Sequence, residues 1–172
     1  MGEFVDAAQE KLSKLEIPVL NKCINQDKTI PLDRDMQAIA IKPDEIYGEG
    51  ADCVAIVEMQ NKVYILSIEI KGSKNLDLNE LEKCIKQLNS TSEKLSELFT
   101  ELKREIKKES HFFPILIYKS GLPKRSIIQV TKNDRIRSPL SNIRKSIQPF
   151  RYDEASNIRS LIEKIIQKIE KH

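Results

Sequence analysis

Apolar residues recur along the chain with two periods, and the switches between them lay out the elements. Phe4, Val5, Ala8, Leu12 and Leu15 fall three or four apart, which predicts a helix over 3–15 that Pro18 ends. The segment 17–35 is polar and punctuated by Pro18 and Pro31, leaving room for one or two short extended pieces. MQAIAIK, residues 36–42, predicts a strand closed by Pro43. Two β-branched runs, 53–58 and 63–71, flank the polar Met59-Gln60-Asn61-Lys62 and predict a β-hairpin. Gln60-Asn61 departs from the Asn-Gly pair that favours two-residue loops, so a four-residue loop over 59–62 stands beside it. Both loops give one register, in which Glu58 faces Val63, Ile56 faces Ile65 and Asp52 faces Glu69.

Beyond the hairpin the period lengthens. From Asp77 to Glu109 there is neither Gly nor Pro, and Leu81, Ile85, Leu88, Ser92, Leu95, Phe99, Leu102 and Ile106 repeat at alternating spacings of four and three. One helix of about 50 Å satisfies this pattern. Ser90-Thr91-Ser92-Glu93 also has the form of a capping box, which would break the segment in two near residue 90. The stripe over 78–106 either packs on the sheet or forms the seam of a homodimer. HFFPILIY, 111–118, predicts a buried strand, and SIIQVT, 126–131, its neighbour across the turn GLPKR. Ile158, Leu161, Ile162, Ile165, Ile166 and Ile169 share one face of a closing helix over 153–171.

Composition narrows the class. A chain of 172 residues with 40% apolar content supports one core, so residues 1–172 are expected to form a single domain. Five Gly, seven Pro and 32% charge of both signs exclude collagenous and linker-like chains. No apolar run approaches the roughly 18 residues of a membrane span, and acidic residues stand where a signal peptide carries basic ones. The expectation is a cytoplasmic protein with no membrane partner. Cys23, Cys53 and Cys84 are an odd number without a CxxC pair, which reads as three reduced thiols. Cys84, among Leu81, Ile85 and Leu88, reads as a small buried hydrophobe.

Charge is unevenly distributed. Residues 1–113 carry 16 Lys and Arg against 21 Asp and Glu, a net of −5, whereas 114–172 carry 13 against 5, a net of +8. Lys124, Arg125, Lys132, Arg135, Arg137, Arg144 and Lys145 accumulate between Lys119 and Arg151 beside a single acid. Phosphate contacts by Lys and Arg dominate nucleic-acid affinity, so this stretch is the candidate nucleic-acid-binding surface.

The hairpin carries the candidate chemistry. Residues two apart on a strand share a face, so Glu69 and Lys71 point one way while Ile68 and Ile70 point the other, and Asp52 joins the polar face from across the pair. Opposed carboxylates destabilise a sheet unless a cation lies between them. Carboxylate oxygens suit Mg²⁺, which keeps several waters and takes one or two protein carboxylates, with the carbonyl of Ile70 as a further oxygen ligand. Glu-x-Lys recurs at Glu101/Lys103 and Glu105/Lys107, but there on a helix, where residues two apart diverge.

Asp52 followed by Glu69-Ile70-Lys71 on consecutive strands, then a helix, resembles the PD-(D/E)xK nuclease superfamily of Holliday junction resolvases, many restriction enzymes and RecB-like nucleases. The resemblance covers roughly residues 36–130. It implies an α/β fold with a restriction-endonuclease-like core: a mixed central β-sheet flanked by helices, here with a long helical segment after the ExK strand and a C-terminal helix. It implies Mg²⁺- or Mn²⁺-dependent hydrolysis of DNA phosphodiester bonds. Asp52 and Glu69 would hold the metal, Lys71 would be the catalytic lysine, and Gln87 would match the glutamine some branches place on the next helix. Asp52 follows Ala51, and the literal Pro-Asp is Pro43-Asp44. The family's further acid on the first helix would be Glu10 or Glu3. The rival expectation is a non-catalytic nucleic-acid-binding or helix-mediated protein-interaction module on the same fold.

Overall fold

The computed structural model describes residues 2–25, 28–72 and 75–170. Helix α1 (Glu3–Lys14) opens the chain, followed by the short hairpin β1 (Lys22–Asn25) and β2 (Lys28–Pro31). Strand β3 (Gln37–Ile41) leads through the single turn α2 (Pro43–Tyr47) into β4 (Cys53–Met59) and β5 (Lys62–Lys71). The long helix α3 (Leu78–Glu105) then returns the chain to β6 (Ser110–Tyr118). After it come α4 (Lys124–Thr131), the two-residue strands β7 (Ile136–Arg137) and β8 (Arg144–Lys145), β9 (Gln148–Arg151) and the closing helix α5 (Ile158–Glu170).

The central sheet has the order β3-β4-β5-β6-β9. β3, β4 and β5 are antiparallel, whereas β5, β6 and β9 are parallel. Each parallel step needs a crossover, and α3 supplies the first. Apolar side chains fill both faces. On one lie Phe4, Ala8 and Leu12 of α1 with Leu81, Leu88 and Phe99 of α3. On the other lie Cys23 and Ile30 of the β1–β2 hairpin with Leu161, Ile162 and Ile165 of α5. The mixed α/β sheet flanked by helices is therefore as expected.

The hairpin closes through two residues, since Met59 pairs with Lys62. Gln60 and Asn61 both adopt positive φ, 52° and 64°, the conformation whose twist suits a tight hairpin. α3 runs unbroken through Ser90-Thr91-Ser92-Glu93; its cap is Asp77, whose side chain accepts a hydrogen bond from the Glu80 N–H. Its stripe of Leu81, Cys84, Leu88, Leu95 and Phe99 is buried in the chain's own core, which is the packing alternative of the two read from the heptads.

Three expectations need correction. Residues 126–131 lie in helix α4, and the neighbour of β6 is β9. SIIQVT does not alternate: Ile127 and Thr131, four apart, are buried while Ile128 is exposed, and the segment belongs to the crossover that a parallel neighbour of β6 requires. The closing helix begins at Ile158, after a 3₁₀ turn at Tyr152–Glu154, and Lys171 lies outside the described residues. Cys23 and Cys53 are not free thiols but form a disulfide, with Cα atoms 5.5 Å apart. Thirty residues separate them in sequence, and only the folding of the β1–β2 hairpin onto β4 brings them together. Cys84 is free and buried, as its setting implied. Among the described residues no helix is long and apolar enough to cross a membrane.

Candidate functional site

The ladder of the β4–β5 hairpin continues to the pair Cys53 and Ile68, and Asp52 stands one residue beyond it, opposite Glu69. Both acids are buried, Asp52 at 8% and Glu69 at 4% exposure. Asp52 Oδ2 accepts a 2.7 Å hydrogen bond from the Ile70 N–H, which fixes its carboxyl across the strand pair. The Asp52 and Glu69 side chains also share a hydrogen bond. Burial, then this bond and the adjacent Asp52 charge, push the Glu69 carboxyl up to about 10. At neutral pH Glu69 therefore keeps its proton.

Lys71, two residues on, lies on the same face. Its ammonium is 3.7 Å from Glu80 of α3, which in turn pairs with Lys83 at 3.3 Å. Burial alone would lower the Lys71 pKa, but at the high pH where the lysine titrates the charges that Cys84, Glu69 and Glu80 then carry outweigh it and hold the lysine above its ordinary value. It is a cation at neutral pH. Burial pushes the Cys84 thiol up to about 12, so beside these groups it is a neutral thiol.

The chain segment entering Asp52 is held by α3. Gln87 Oε1 accepts from the Gly50 N–H at 2.6 Å, and Thr91 Oγ1 accepts from the Ala51 N–H at 2.6 Å while donating to the Gln87 carbonyl. Gly50 has φ 129°, and a Cβ there would stand 2.9 Å from the Thr91 hydroxyl. Gln87, expected at the chemistry, thus bonds the backbone two residues before Asp52.

The site sits at the carboxyl ends of parallel strands, where open α/β sheets place their ligands. Lys71, Tyr118 and Arg151 pair in one row across β5, β6 and β9. The Arg151 guanidinium lies 4.4 Å from the centre of the Tyr118 ring, and the Tyr118 hydroxyl is buried without a hydrogen-bond partner.

Of the expected residues, Asp52, Glu69, Ile70 and Lys71 are together, with the Ile70 N–H and not its carbonyl engaged by Asp52. Neither helix-1 acid is with them: Glu3 lies at the far end near Lys108, and Glu10 is paired with Lys14 on the surface. The acids that do reach the group are Glu80 and Asp44, whose charge bears on both Asp52 and Glu69. Asp44 belongs to the literal Pro-Asp. Glu80 had a signal in the sequence, Asp77-Leu78-Asn79-Glu80, which has the spacing of a capping box at the helix start.

The basic residues divide into two groups. Lys124 forms an ion pair with Glu154 and is engaged within the fold. Arg125 and Lys132 are exposed on and just after α4, while Arg135, Arg137, Arg144 and Lys145 are exposed on and beside the β7–β8 hairpin, where Arg137 pairs with Arg144. No family model, no curated protein and no solved structure matches the chain.

Proposed function

We propose that the protein is a metal-dependent nuclease that hydrolyses DNA phosphodiester bonds at the Asp52, Glu69 and Lys71 cluster. The observation that carries this reading is a pair of buried, adjoining acids, Glu69 driven well above its ordinary value, with a lysine on the same face. A fold gains nothing from such a pair, and strongly perturbed acids beside a specific charge are candidate functional groups. The donor set suits a hard divalent ion: Asp52 and Glu69 are oxygen ligands whose burial penalises the free anions, and a cation relieves that penalty. Among the described residues no group of three His, Cys, Asp or Glu could hold a metal, so water and substrate oxygens would complete the shell. Mg²⁺ or Mn²⁺ held there would supply Lewis-acid polarisation of the phosphoryl group.

The chain's own residues supply the remainder. The Ile70 N–H orients Asp52, and Glu69 would hold an ion as the deprotonated carboxylate. Lys71, charged and only 23% exposed, neutralises the phosphate undergoing attack, and Glu80 holds the ammonium in place. Gln87 and Thr91 fix the backbone that presents Asp52. Arg151 and the exposed cations of α4 and the β7–β8 hairpin contact phosphates along the strand.

The test is cleavage of labelled single-stranded, duplex and branched DNA, and of RNA, with Mg²⁺, Mn²⁺ or chelator. Cutting of DNA that requires the metal and disappears in Glu69→Ala is the expected result. Binding without cutting of any substrate would replace this reading by the non-catalytic binding module.

A further inference from the structure

A second polar site lies along α3, away from the acids. A cleft of about 490 Å³ separates α3 from the β7–β8 hairpin. Its α3 wall is Asn89, Ser92, Ser96 and Thr100, a polar stripe at helical spacing. A helix face turned toward another part of its own chain is ordinarily apolar. Here it stays polar for three turns, and Ser92, only 3% exposed, has a buried hydroxyl without a hydrogen-bond partner. Buried polar groups are nearly always paired, so this hydroxyl stands out on the helix wall of the cleft.

The opposite wall is cationic. Arg137 and Arg144 are paired across β7 and β8, and both line the cleft. Like charges facing each other on a strand pair are unfavourable, and an anion between them reverses the sign. Arg137 gives one bond to Asn142 Oδ1 at 2.8 Å, and Arg144 one to the Arg135 carbonyl at 3.3 Å. A guanidinium has five N–H donors, so most remain for a ligand. Glu93 is the one carboxylate on the rim, against two arginines.

Size and lining select among anions. The cleft is far larger than a phosphate ion and falls within the volume range of small-molecule pockets. Asn89 and Asn142 each use the side-chain oxygen within the protein, accepting from the Arg137 backbone and guanidinium respectively, which leaves their NH₂ groups to donate. Pro139 and Leu140 add an apolar surface against which a ring can lie. Two guanidiniums, two free amides and an apolar patch fit a phosphate joined to a heterocycle.

We infer that this cleft binds a phosphate-bearing nucleotide, with the phosphate between Arg137 and Arg144 and the base toward Asn89 and Ser92. The strand that delivers it rests on the nuclease reading. α3 carries Glu80 at the acids and Ser92 at the cleft, about 18 Å along one helix, so a strand anchored here lies within reach of the carboxylates.

The experiment titrates the full chain in chelator with 5′-dAMP, deoxyadenosine, inorganic phosphate and a 5′-phosphorylated tetranucleotide, following backbone amide shifts. Saturable binding of 5′-dAMP at least tenfold tighter than of deoxyadenosine or phosphate is expected, with shifts over 89–100 and 136–144. Arg137→Ala and Arg144→Ala should each weaken it at least tenfold, and Ser92→Val should weaken it severalfold. Both arginines are exposed, so these variants keep the fold, as an unchanged melting temperature would verify. Glu69→Ala should bind as the wild type does. No saturable binding, binding indifferent to both arginines, or binding lost in Glu69→Ala would overturn the cleft. A tetranucleotide that fails to compete with 5′-dAMP would overturn its delivery by a strand. Nucleotide binding without cleavage under any metal would remove the nuclease reading and leave the cleft standing.

Discussion

The β4–β5 hairpin buries a glutamate at each end of one face, and the two are treated in opposite ways. Glu58, 8% exposed, accepts from the Val5 N–H at the start of α1 at 2.7 Å and from Lys108 Nζ at 2.7 Å. A helix N-terminus and a lysine both bond this carboxyl, so the acid is matched by its surroundings. Glu69, 4% exposed, meets Asp52 and is driven up to about 10. The same residue type at similar depth is thus a structural anchor at one end and an unbalanced group at the other. Burial alone does not set the character of an acid; the sign of the partner does.

Substitutions at the two ends should separate these roles. The largest effect is expected on chemistry: Glu69→Ala should reduce metal-dependent cleavage by about a thousandfold or more, and Glu58→Gln should leave the rate per folded molecule unchanged. Equal losses in both variants would erase the distinction. Next is stability. Glu58→Ala strands the Val5 N–H and the partly buried Lys108, and should cost about 3 kcal/mol in urea unfolding.

At the other end the sign reverses. Glu69→Gln removes a misplaced acid, so it should raise stability at neutral pH by about 1–2 kcal/mol, roughly 2–4 °C per kcal/mol in melting temperature. The pH dependence follows from the raised value. Glu69 ionises near 4.5 in the unfolded chain and near 10 in the folded one, so the folded state binds the extra proton between these limits. Wild-type stability should fall relative to Glu69→Gln as pH rises through that window, and urea midpoints at pH 5, 7 and 9 would measure it. The smallest effect belongs to the brace behind Asp52. Thr91→Val deletes the bond from Ala51 and should cost about 1 kcal/mol. Cleavage by that variant should fall through a weaker metal dependence, read as a shifted Mg²⁺ titration.

The sequence made one part of this comparison legible and hid the other. Strand alternation alone brought Asp52, Glu69 and Lys71 to one face, because a hairpin register depends on nearby residues and its turn. The opposed fate of Glu58 was not readable, since its partners Val5 and Lys108 lie about fifty residues away on either side. The same distance hid the Cys23–Cys53 bridge, which needs a hairpin to fold onto a strand. Gln87 could be placed on the helix that follows the Glu69-Ile70-Lys71 strand, yet its engagement with Gly50 required the three-dimensional path of the loop. The segment 126–131 failed for a different reason: a short apolar run has no period of its own, and sheet topology decides its form.

Because one bridge takes two of the three cysteines, the chain carries a built-in clock. Cys84 is its single free thiol, buried on α3 beside the carboxylates and held at a pKa of about 12, so an alkylating reagent reaches it only when that region opens. The gain of one alkyl group per molecule, followed by mass over time at reagent concentrations that outpace reclosing, counts those openings. No substitution is needed, and the clock sits beside Glu69 and Lys71.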